Sequence, residues 1–305
     1  MPARAAFDVV GVGTNSVDTV LKVPQLPQPG SPSKIHATDK ITCTGGQTAT
    51  ALATCAGLGL RTAYIGAIGN DEHGTLMRQS LERRGIDLRY AVHRDAPNHF
   101  AVILVDERGD RIVLWGRDRR LTLEAREIAA DAIRSARVVH VDDVDVEASI
   151  AAASLAREAG VPVTSDLDRA HERMPELVRL VSVPIFAEHV LEALTAERDQ
   201  ERALRKLRRE HEGLLCVTLG ERGAVALDGD RFVHVPGIRV TAVDTTGAGD
   251  VFRGGFIYGL LKRWPTEETL RFANAAAAVS CTRLGAMNGA PTEKEVGEIL
   301  SKAKS

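Results

Sequence analysis

The run Asp244-Thr245-Thr246-Gly247-Ala248-Gly249-Asp250 places two carboxylates around a turn of small residues. An extended apolar segment enters it, and Val251, Phe252, Phe256, Ile257, Leu260 and Leu261 follow at helical spacing, which predicts a helix over residues 248–263. The backbone N–H groups of Gly247, Ala248 and Gly249 then gather at that helix's N-terminus. Unpaired donors and the positive end of the macrodipole stabilise an anion there, above all a phosphate. Asp250 falls in the same first turn, where the dipole favours its ionised form. A carboxylate beside a phosphate nest can take a proton from a hydroxyl nucleophile, so the predicted chemistry is phosphoryl transfer with Asp250 as general base. A second glycine pair, Gly45-Gly46, precedes an Ala/Thr/Leu-rich helix at residues 47–58 and lets the backbone approach a ligand.

These sites need a scaffold, and the rest of the sequence supplies one. Residues 7–12 and 17–23 read as strands, 61–67 as a strand, and 72–84 as a helix stopped by Gly85. Two β-rich runs, 100–105 and 111–115, flank the turn Asp106-Glu107-Arg108-Gly109-Asp110 as a hairpin. Short apolar strands at 137–141, 162–165, 183–186 and 214–218 then alternate with helices such as 147–159 and 197–210. A second hairpin, 225–227 with 232–235, turns at Gly229-Asp230, and helices at 267–282 and 293–302 close the chain. Such alternation predicts an α/β fold with a doubly wound, mainly parallel sheet covered on both faces. The expected organisation is one domain over residues 1–305, with a small β-sheet lid formed by segments of about 14–45 and 89–120. The lid would cover the crevice at the carboxyl ends of the strands.

Composition removes several function classes. Of 305 residues, 39 are Lys or Arg and 41 are Asp or Glu, giving a net charge of -2 without a block of like charge, so no nucleic-acid partner is expected. The Arg-rich stretch 202–209 reads as the solvated face of an amphipathic helix. Cys43, Cys55, Cys216 and Cys281 form no Cys-x-x-Cys pair, which favours buried thiols in a reducing compartment, and no apolar run is long enough to span a membrane. A cytoplasmic location is the expectation. Gly11-Val12-Gly13-Thr14-Asn15-Ser16 follows a strand but leads into another extended segment, so it fails as a dinucleotide fingerprint. Asp142, Asp143 and Asp145 could bind metal or sugar but read rather as helix-capping acids, and Arg117, Arg119 and Arg120 read as solvated loop arginines, with recognition of a phosphate or acid group on the substrate as the lesser alternative.

The Asp244–Asp250 run resembles the C-terminal signature of the ribokinase family of sugar kinases, also called the phosphofructokinase B family. The resemblance extends to Gly45-Gly46, to Gly66-Ala67-Ile68-Gly69-Asn70-Asp71 with Gly74, to Thr218-Leu219-Gly220 with Gly223, and to Asn274 before an alanine run. It implies an ATP-dependent kinase of ribokinase-like fold that uses Mg2+ and whose lid serves as a homodimer interface. Asp250 would be the base, and Gly247, Ala248 and Gly249 the anion hole. Ser16, Asp18, Gly45, Gly46, Gln47 and Thr50 would face the sugar, and Thr218, Gly220, Gly223 and Asn274 the nucleotide. Asp244, Thr246, Ser280 and Gly285 resemble a monovalent-cation cage, for K+, and Glu188 would order magnesium-bound water.

Two departures bear on substrate. Many members carry Asn where Thr50 stands, which replaces a sugar-facing amide by a shorter hydroxyl. Ala187-Glu188-His189-Val190 also lacks the family's Asn-x-x-Glu in register, so the magnesium role falls to Glu188 or passes to Asp166 or Asp168. The reading is a kinase of a monosaccharide or related polyol. A nucleoside kinase, with Phe100 and Trp115 as a base platform, and a non-catalytic nucleotide- or sugar-binding regulator are the alternatives.

Overall fold

Apolar residues alternate between the two faces of the central strands, and helices cover both sides. The computed structural model describes residues 5–30, 32, 34–108 and 110–303, with Arg111 described by its backbone alone. Gly109 of the expected hairpin turn lies outside the described residues. In chain order, β1 (Phe7–Val12) leads to β2 (Ser16–Lys22) and β3 (Asp39–Gly45), then α1 (Gln47–Gly57), β4 (Thr62–Ile65), β5 (Ala67–Ile68) and α2 (Glu72–Arg83). The short β6 (Val92–His93) precedes β7 (Phe100–Val105) and β8 (Arg111–Gly116). Next come α3 (Ala130–Arg134), β9 (Ala136–Asp142), α4 (Val146–Glu158), β10 (Val163–Asp166), α5 (Met174–Leu180) and β11 (Ile185–Ala187). The chain continues through α6 (Glu188–Thr195), α7 (Gln200–Arg208), β12 (Leu215–Thr218), β13 (Ala224–Asp228) and β14 (Arg231–Val235). It closes with α8 (Ala248–Lys262), α9 (Thr266–Cys281) and α10 (Glu293–Lys302).

Strands β10-β9-β1-β4 pair in parallel, and β11-β12-β13-β14 form a second run whose hairpin partners are antiparallel. Parallel bridges Thr164–Val183 and Leu167–Phe186 join the two runs side by side. Val10, Val12, Val139 and Val141 pack with Ile133, Ala148 and Ala152 on one face. Val9 and Val138 pack with Leu52, Ala53 and Ile257 on the other. Each fully buried Val or Ile contributes about 1.5–3 kcal/mol, so a strand carrying them on both faces is stable only with helices on both sides.

The small mixed sheet, β3-β2-β7-β8, stands apart as the lid. Its register pairs Asp18 with Cys43 and Ala101, and Ala101 with Trp115, so these four share one lid face. The strand β3 was not anticipated because its first residues are solvent-exposed and show no apolar run. The expected strand 61–67 divides at Gly66, where a Cβ would come within 2.1 Å of the Tyr64 hydroxyl and 2.2 Å of the Gly13 carbonyl. The expected helix 197–210 starts at Gln200, after Ala196 ends α6 in the left-handed region at φ 54°. On α7, Arg205 pairs with Glu201 one turn away, both half-exposed, as a solvated face should.

Asp142, at the end of β9, locks the sheet to the lid junction. Its Oδ2 accepts the Thr14 N–H at 2.6 Å and the Thr14 and Thr48 hydroxyls at 2.9 Å each, and its Oδ1 accepts the Val144 N–H at 3.2 Å. Only glycine fits at position 13, because a Cβ there would lie 2.2 Å from Asp142 Oδ2. Asp142→Ala leaves the Thr14 N–H, the Thr14 hydroxyl and the Val144 N–H without an acceptor, while the Thr48 hydroxyl keeps the Val12 carbonyl at 3.3 Å, and a buried donor left unpaired costs about 1–3 kcal/mol. The expected result is a loss of about 3 kcal/mol or more in urea unfolding; a loss within about 0.5 kcal/mol, the scale of neutral surface changes, would show that the carboxylate is not a structural lock.

Candidate functional site

The start of α8 is held against the 280–285 segment by backbone bonds. The Val243 and Asp244 N–H groups both donate to the Cys281 carbonyl, while Asp244 accepts the Thr246 N–H and the Gly285 N–H at 2.9 Å each. Gly247 caps the helix at φ 75°, and a Cβ there would sit 2.5 Å from that of Ala286, so glycine is required on both counts. The N–H groups of Gly247, Gly249 and Asp250 have no acceptor among the turn and cap bonds of the described residues. Ala248, expected in the same nest, instead donates to the Thr245 carbonyl at 3.3 Å. The three free donors still point from one helix end, which is an anion site.

Asp250 lies in the first turn of α8 and is partly exposed. Burial pushes its carboxyl up to about 7; the Arg253 charge and a hydrogen bond with Asp166 pull it down, and the Asp168 and Asp142 charges push it up. Arg253, one turn on, is 3% exposed and its Nη2 lies 2.7 Å from Asp166 Oδ1. Asp166 is 1% exposed at the end of β10, and burial holds it well above the ordinary carboxylate range. Arg253 was not anticipated. A lone cation on a helix face of Phe, Gly and Ile was the available signal, since a buried arginine needs a carboxylate.

The expected sugar-facing residues converge next to this turn. Asp18 and Ser16 are both 6% exposed, and the Ser16 hydroxyl donates to Asp18 Oδ1 at 2.7 Å. Burial raises the Asp18 carboxyl, the Ser16 bond lowers it and the Asp244 charge raises it again. A Cβ on Gly45 would lie 2.7 Å from Asp18 Oδ2 and 3.4 Å from the Ala286 Cβ, and one on Gly247 would lie 3.5 Å from Thr50. Asp18, Gly45, Ala286, Gly247 and Thr50 therefore form one continuous wall from the lid to the helix end. Gly46, at φ 95°, presses on the Asn15–Ser16 backbone and caps α1. The Gln47 amide nitrogen and the Thr50 hydroxyl are buried without a hydrogen-bond partner among the described residues.

The nucleotide-facing set is more dispersed. The Thr218 hydroxyl donates to the Phe186 carbonyl at 3.3 Å, Gly220 turns at φ 59° beside open space, and a Cβ on Gly223 would lie 2.2 Å from the Val235 carbonyl. The buried Asn274 donates to the Val235 and Pro236 carbonyls at 3.0 and 3.2 Å, so its amide holds the strip after β14 in place. That strip and the ends of α9 and α10 line a cleft of about 900 Å³ that includes Pro236, Ile238, Val240 and Leu300.

Several expected roles are occupied by protein contacts. Glu188, in the first turn of α6, accepts from Gln200 Nε2 at 2.6 Å and pairs with Arg222. Ser280 donates its hydroxyl to the Ala277 carbonyl, and the carboxylate of Asp244 is already used by Thr246 and Gly285, so the four predicted cage residues lie together but bond mainly within the protein. Asp166 serves Arg253. Asp143 accepts the Asp168 and Arg169 N–H groups at 2.7 and 2.6 Å, and Asp145 pairs with Arg117, so these acids are clasps between loops rather than helix caps. Arg117, read as a solvated loop residue, is consequently mostly buried. Trp115 and Phe100 sit on opposite faces of the lid: Phe100 meets His73, whereas Trp115 meets His99 and lies 5.5 Å under the Arg169 guanidinium.

A family model described as pfkB family carbohydrate kinase matches residues 7–293. An ATP-dependent ribose-1-phosphate kinase of Halopiger xanaduensis is 33% identical over 303 residues, covering 96% of this chain and 98% of its own length. The crystal structure of a putative ribokinase from Agrobacterium tumefaciens superposes with a TM-score of 0.90 at 27% identity, over 97% of this chain and 98% of that one. An Arabidopsis thaliana ribokinase complexed with ribose and ATP matches with a TM-score of 0.83 at 27% identity, over 97% and 99% of the two chains.

A carboxyl raised by folding binds more protons in the native than in the unfolded state between its ordinary value and about 7, so it lowers stability progressively as pH rises through that window. Asp250→Asn should therefore leave Tm unchanged near pH 4 and raise it above pH 7. A Tm difference that is flat from pH 4 to 8, measured by calorimetry, would contradict the upward shift of the Asp250 carboxyl.

Proposed function

Because the chain belongs to the pfkB family of carbohydrate kinases and is a sugar kinase, we propose that it moves the γ-phosphoryl group of Mg-ATP to a hydroxyl of a monosaccharide or related polyol, with Asp250 as general base. The observation that carries this is the single wall joining Asp18 and Gly45 to the helix end at Gly247, with Asp250 one turn above it. Asp18 accepts hydrogen bonds from sugar hydroxyls, with the unpartnered Gln47 amide and Thr50 hydroxyl beside it. The free N–H groups of Gly247, Gly249 and Asp250 hold the transferring phosphoryl group as its charge spreads. Asp250 takes the acceptor proton as the new O–P bond forms.

Thr218, Gly220, Gly223 and the strip held by Asn274 would receive the nucleotide, with its base toward the 900 Å³ cleft. Magnesium would neutralise the phosphate oxygens, with Glu188 ordering a bound water through the lone pairs that Gln200 and Arg222 leave free. The placement of Phe100 and Trp115 on opposite faces of the lid supports a sugar rather than a nucleoside acceptor. The half-exposed Val113, Leu114 and Trp115 of the lid support pairing with a second copy.

A sugar panel with coupled ADP detection should find a preferred monosaccharide or polyol, and Asp250→Asn should lower kcat on it by about a hundredfold or more while ligand binding persists. Undiminished turnover in that variant, or preference for adenosine over every sugar, would overturn the reading. Leu114→Asp should convert a dimer to a monomer in sedimentation; a wild-type protein that is already monomeric would refute lid pairing.

A further inference from the structure

The lid face that carries Asp18 ends at a cation to which the transfer scheme gives no role. Asp18 pairs with Ala101 and Ala101 with Trp115, so Asp18 and Trp115 project from one face, two strand spacings or about 10 Å apart. Asp18 is buried against the body of the fold, whereas Trp115 is 61% exposed at the rim. The Arg169 guanidinium lies over that indole, 5.5 Å from the ring centroid. Its backbone is fixed from the other side, because Asp143 Oδ2 accepts the Asp168 and Arg169 N–H groups at 2.7 and 2.6 Å. Among the described residues, no carboxylate or carbonyl accepts from the Arg169 side chain. The nearby loop arginines are otherwise engaged: Arg117 with Asp145 and the Leu121 carbonyl, Arg120 with Asp118 and the Asp95 carbonyl. A guanidinium stacked on an aromatic face keeps its edge N–H groups free, and that edge matches a carboxylate or phosphate through paired hydrogen bonds.

His99 stands between the two ends of this face. Its carbonyl accepts the Val17 N–H at 3.0 Å, one residue before Asp18, and its ring meets that of Trp115 edge-on at 6.2 Å. Burial pulls its imidazole down to about 4, and the Arg117 and Arg169 charges act in the same direction against the Asn15 backbone and Asp145. His99 is therefore neutral near pH 7 and leaves the positive charge of the rim to Arg169. The far end is acidic, with Asp18 close enough to Asp244 to feel its charge. A neutral sugar lying against Asp18 leaves Arg169 without an acceptor. A sugar with an acid group is instead oriented, repelled at the carboxylate end and attracted at the guanidinium end.

We propose that Arg169, steadied on Trp115, selects the acceptor by an anionic substituent: the substrate is a monosaccharide or polyol carrying one carboxylate or phosphate group, with its hydroxyls against Asp18 and its acid group on the guanidinium. This deepens the sugar-kinase reading and rests on it. The reaction itself is unchanged: the acceptor hydroxyl loses its proton, the O–P bond forms, the bond from the γ-phosphorus to ADP breaks, and the acid group takes no part.

The test uses the full chain and a panel of matched triples: a neutral monosaccharide, the acid obtained by oxidising it, and its monophosphate, each followed by coupled ADP detection. An acidic member should exceed its neutral counterpart in kcat/KM by about tenfold or more, the scale of a charge-assisted hydrogen bond. The carboxylate and phosphate arms identify which acid group is read. Arg169→Gln should reduce that acid-to-neutral ratio by about tenfold or more, through KM for the acceptor rather than KM for ATP. Added salt should shrink the ratio in wild type and not in the variant. Arg169→Lys should restore the ratio only in part, since an ammonium lacks the planar fork. Arg169 is exposed and forms no side-chain hydrogen bond, so both variants should keep the wild-type Tm. Preference for the neutral member in every triple, or an acid-to-neutral ratio that Arg169→Gln leaves intact, overturns the proposal while the sugar-kinase reading stands. No turnover on any member, or wild-type turnover in Asp250→Asn, overturns that reading and the proposal with it.

Discussion

The close approach of α8 to α1 and to the 285–289 turn constrains everything at the site. With a side chain at Gly247 the helix start would collide with Ala286, and a Cβ at Gly254 would fall 2.5 Å from the Thr54 Cβ on α1. Because both positions are glycine, the N-terminus of α8 settles against the wall that begins at Asp18. The start of α8 and the Asp18 side of the lid therefore form one wall, made by backbone contact rather than by long side chains reaching across a gap. Such a wall is pre-organised, because glycine turns locked by packing have little freedom left to lose when a ligand arrives.

That geometry explains which parts were legible in the sequence. The Asp244–Asp250 run announces itself because a helix N-terminus, a glycine turn and a first-turn carboxylate are all local features, and Gly45-Gly46 before α1 is local too. The buried strands β1, β9, β10 and β12 were visible as apolar runs because both of their faces are covered. The lid strand β3 was hidden because Asp39, Lys40 and Thr42 face solvent, and α5 and α6 because they are too short to show a clear helical period. The partners of Asp142, Asp145 and Arg253 could not be read, since each pairing joins residues from 28 to 128 positions apart or depends on where β10 ends relative to α8. Locally the acids after β9 resemble helix caps or ligands for a metal or sugar; the fold uses them to tie loops together.

The lid shows how strand register carries function. With Asp18 paired to Ala101 and Ala101 to Trp115, every second residue of β2, β7 and β8 points toward the same side. Slipping that register by one residue would bring Phe100 to Asp18's side and send Trp115 away. The pairing of Phe100 with Gly116 helps to hold it, since a Cβ at Gly116 would lie 2.8 Å from the Phe100 ring. A two-sided aromatic platform is thus absent for a reason of pleat rather than of composition, although both aromatic residues are present.

Charge is the remaining constraint, and it links the lid to the start of α8 through one short segment. The residues after β10 carry Asp166 against Arg253 at one end and Arg169 over Trp115 at the other, while Asp143 holds the backbone between them through the Asp168 and Arg169 N–H groups. Burial raises the Asp143 carboxyl to about 6, and the backbone bonds from Arg169 and Asp168 oppose that rise. Asp142, Asp143, Asp166, Asp168 and Asp250 crowd one region with Arg253 as the cation buried among them. A protein optimised for stability alone would not gather so many acids where desolvation opposes their ionisation. They lie at the carboxyl ends of the strands, beneath the N-terminus of α8.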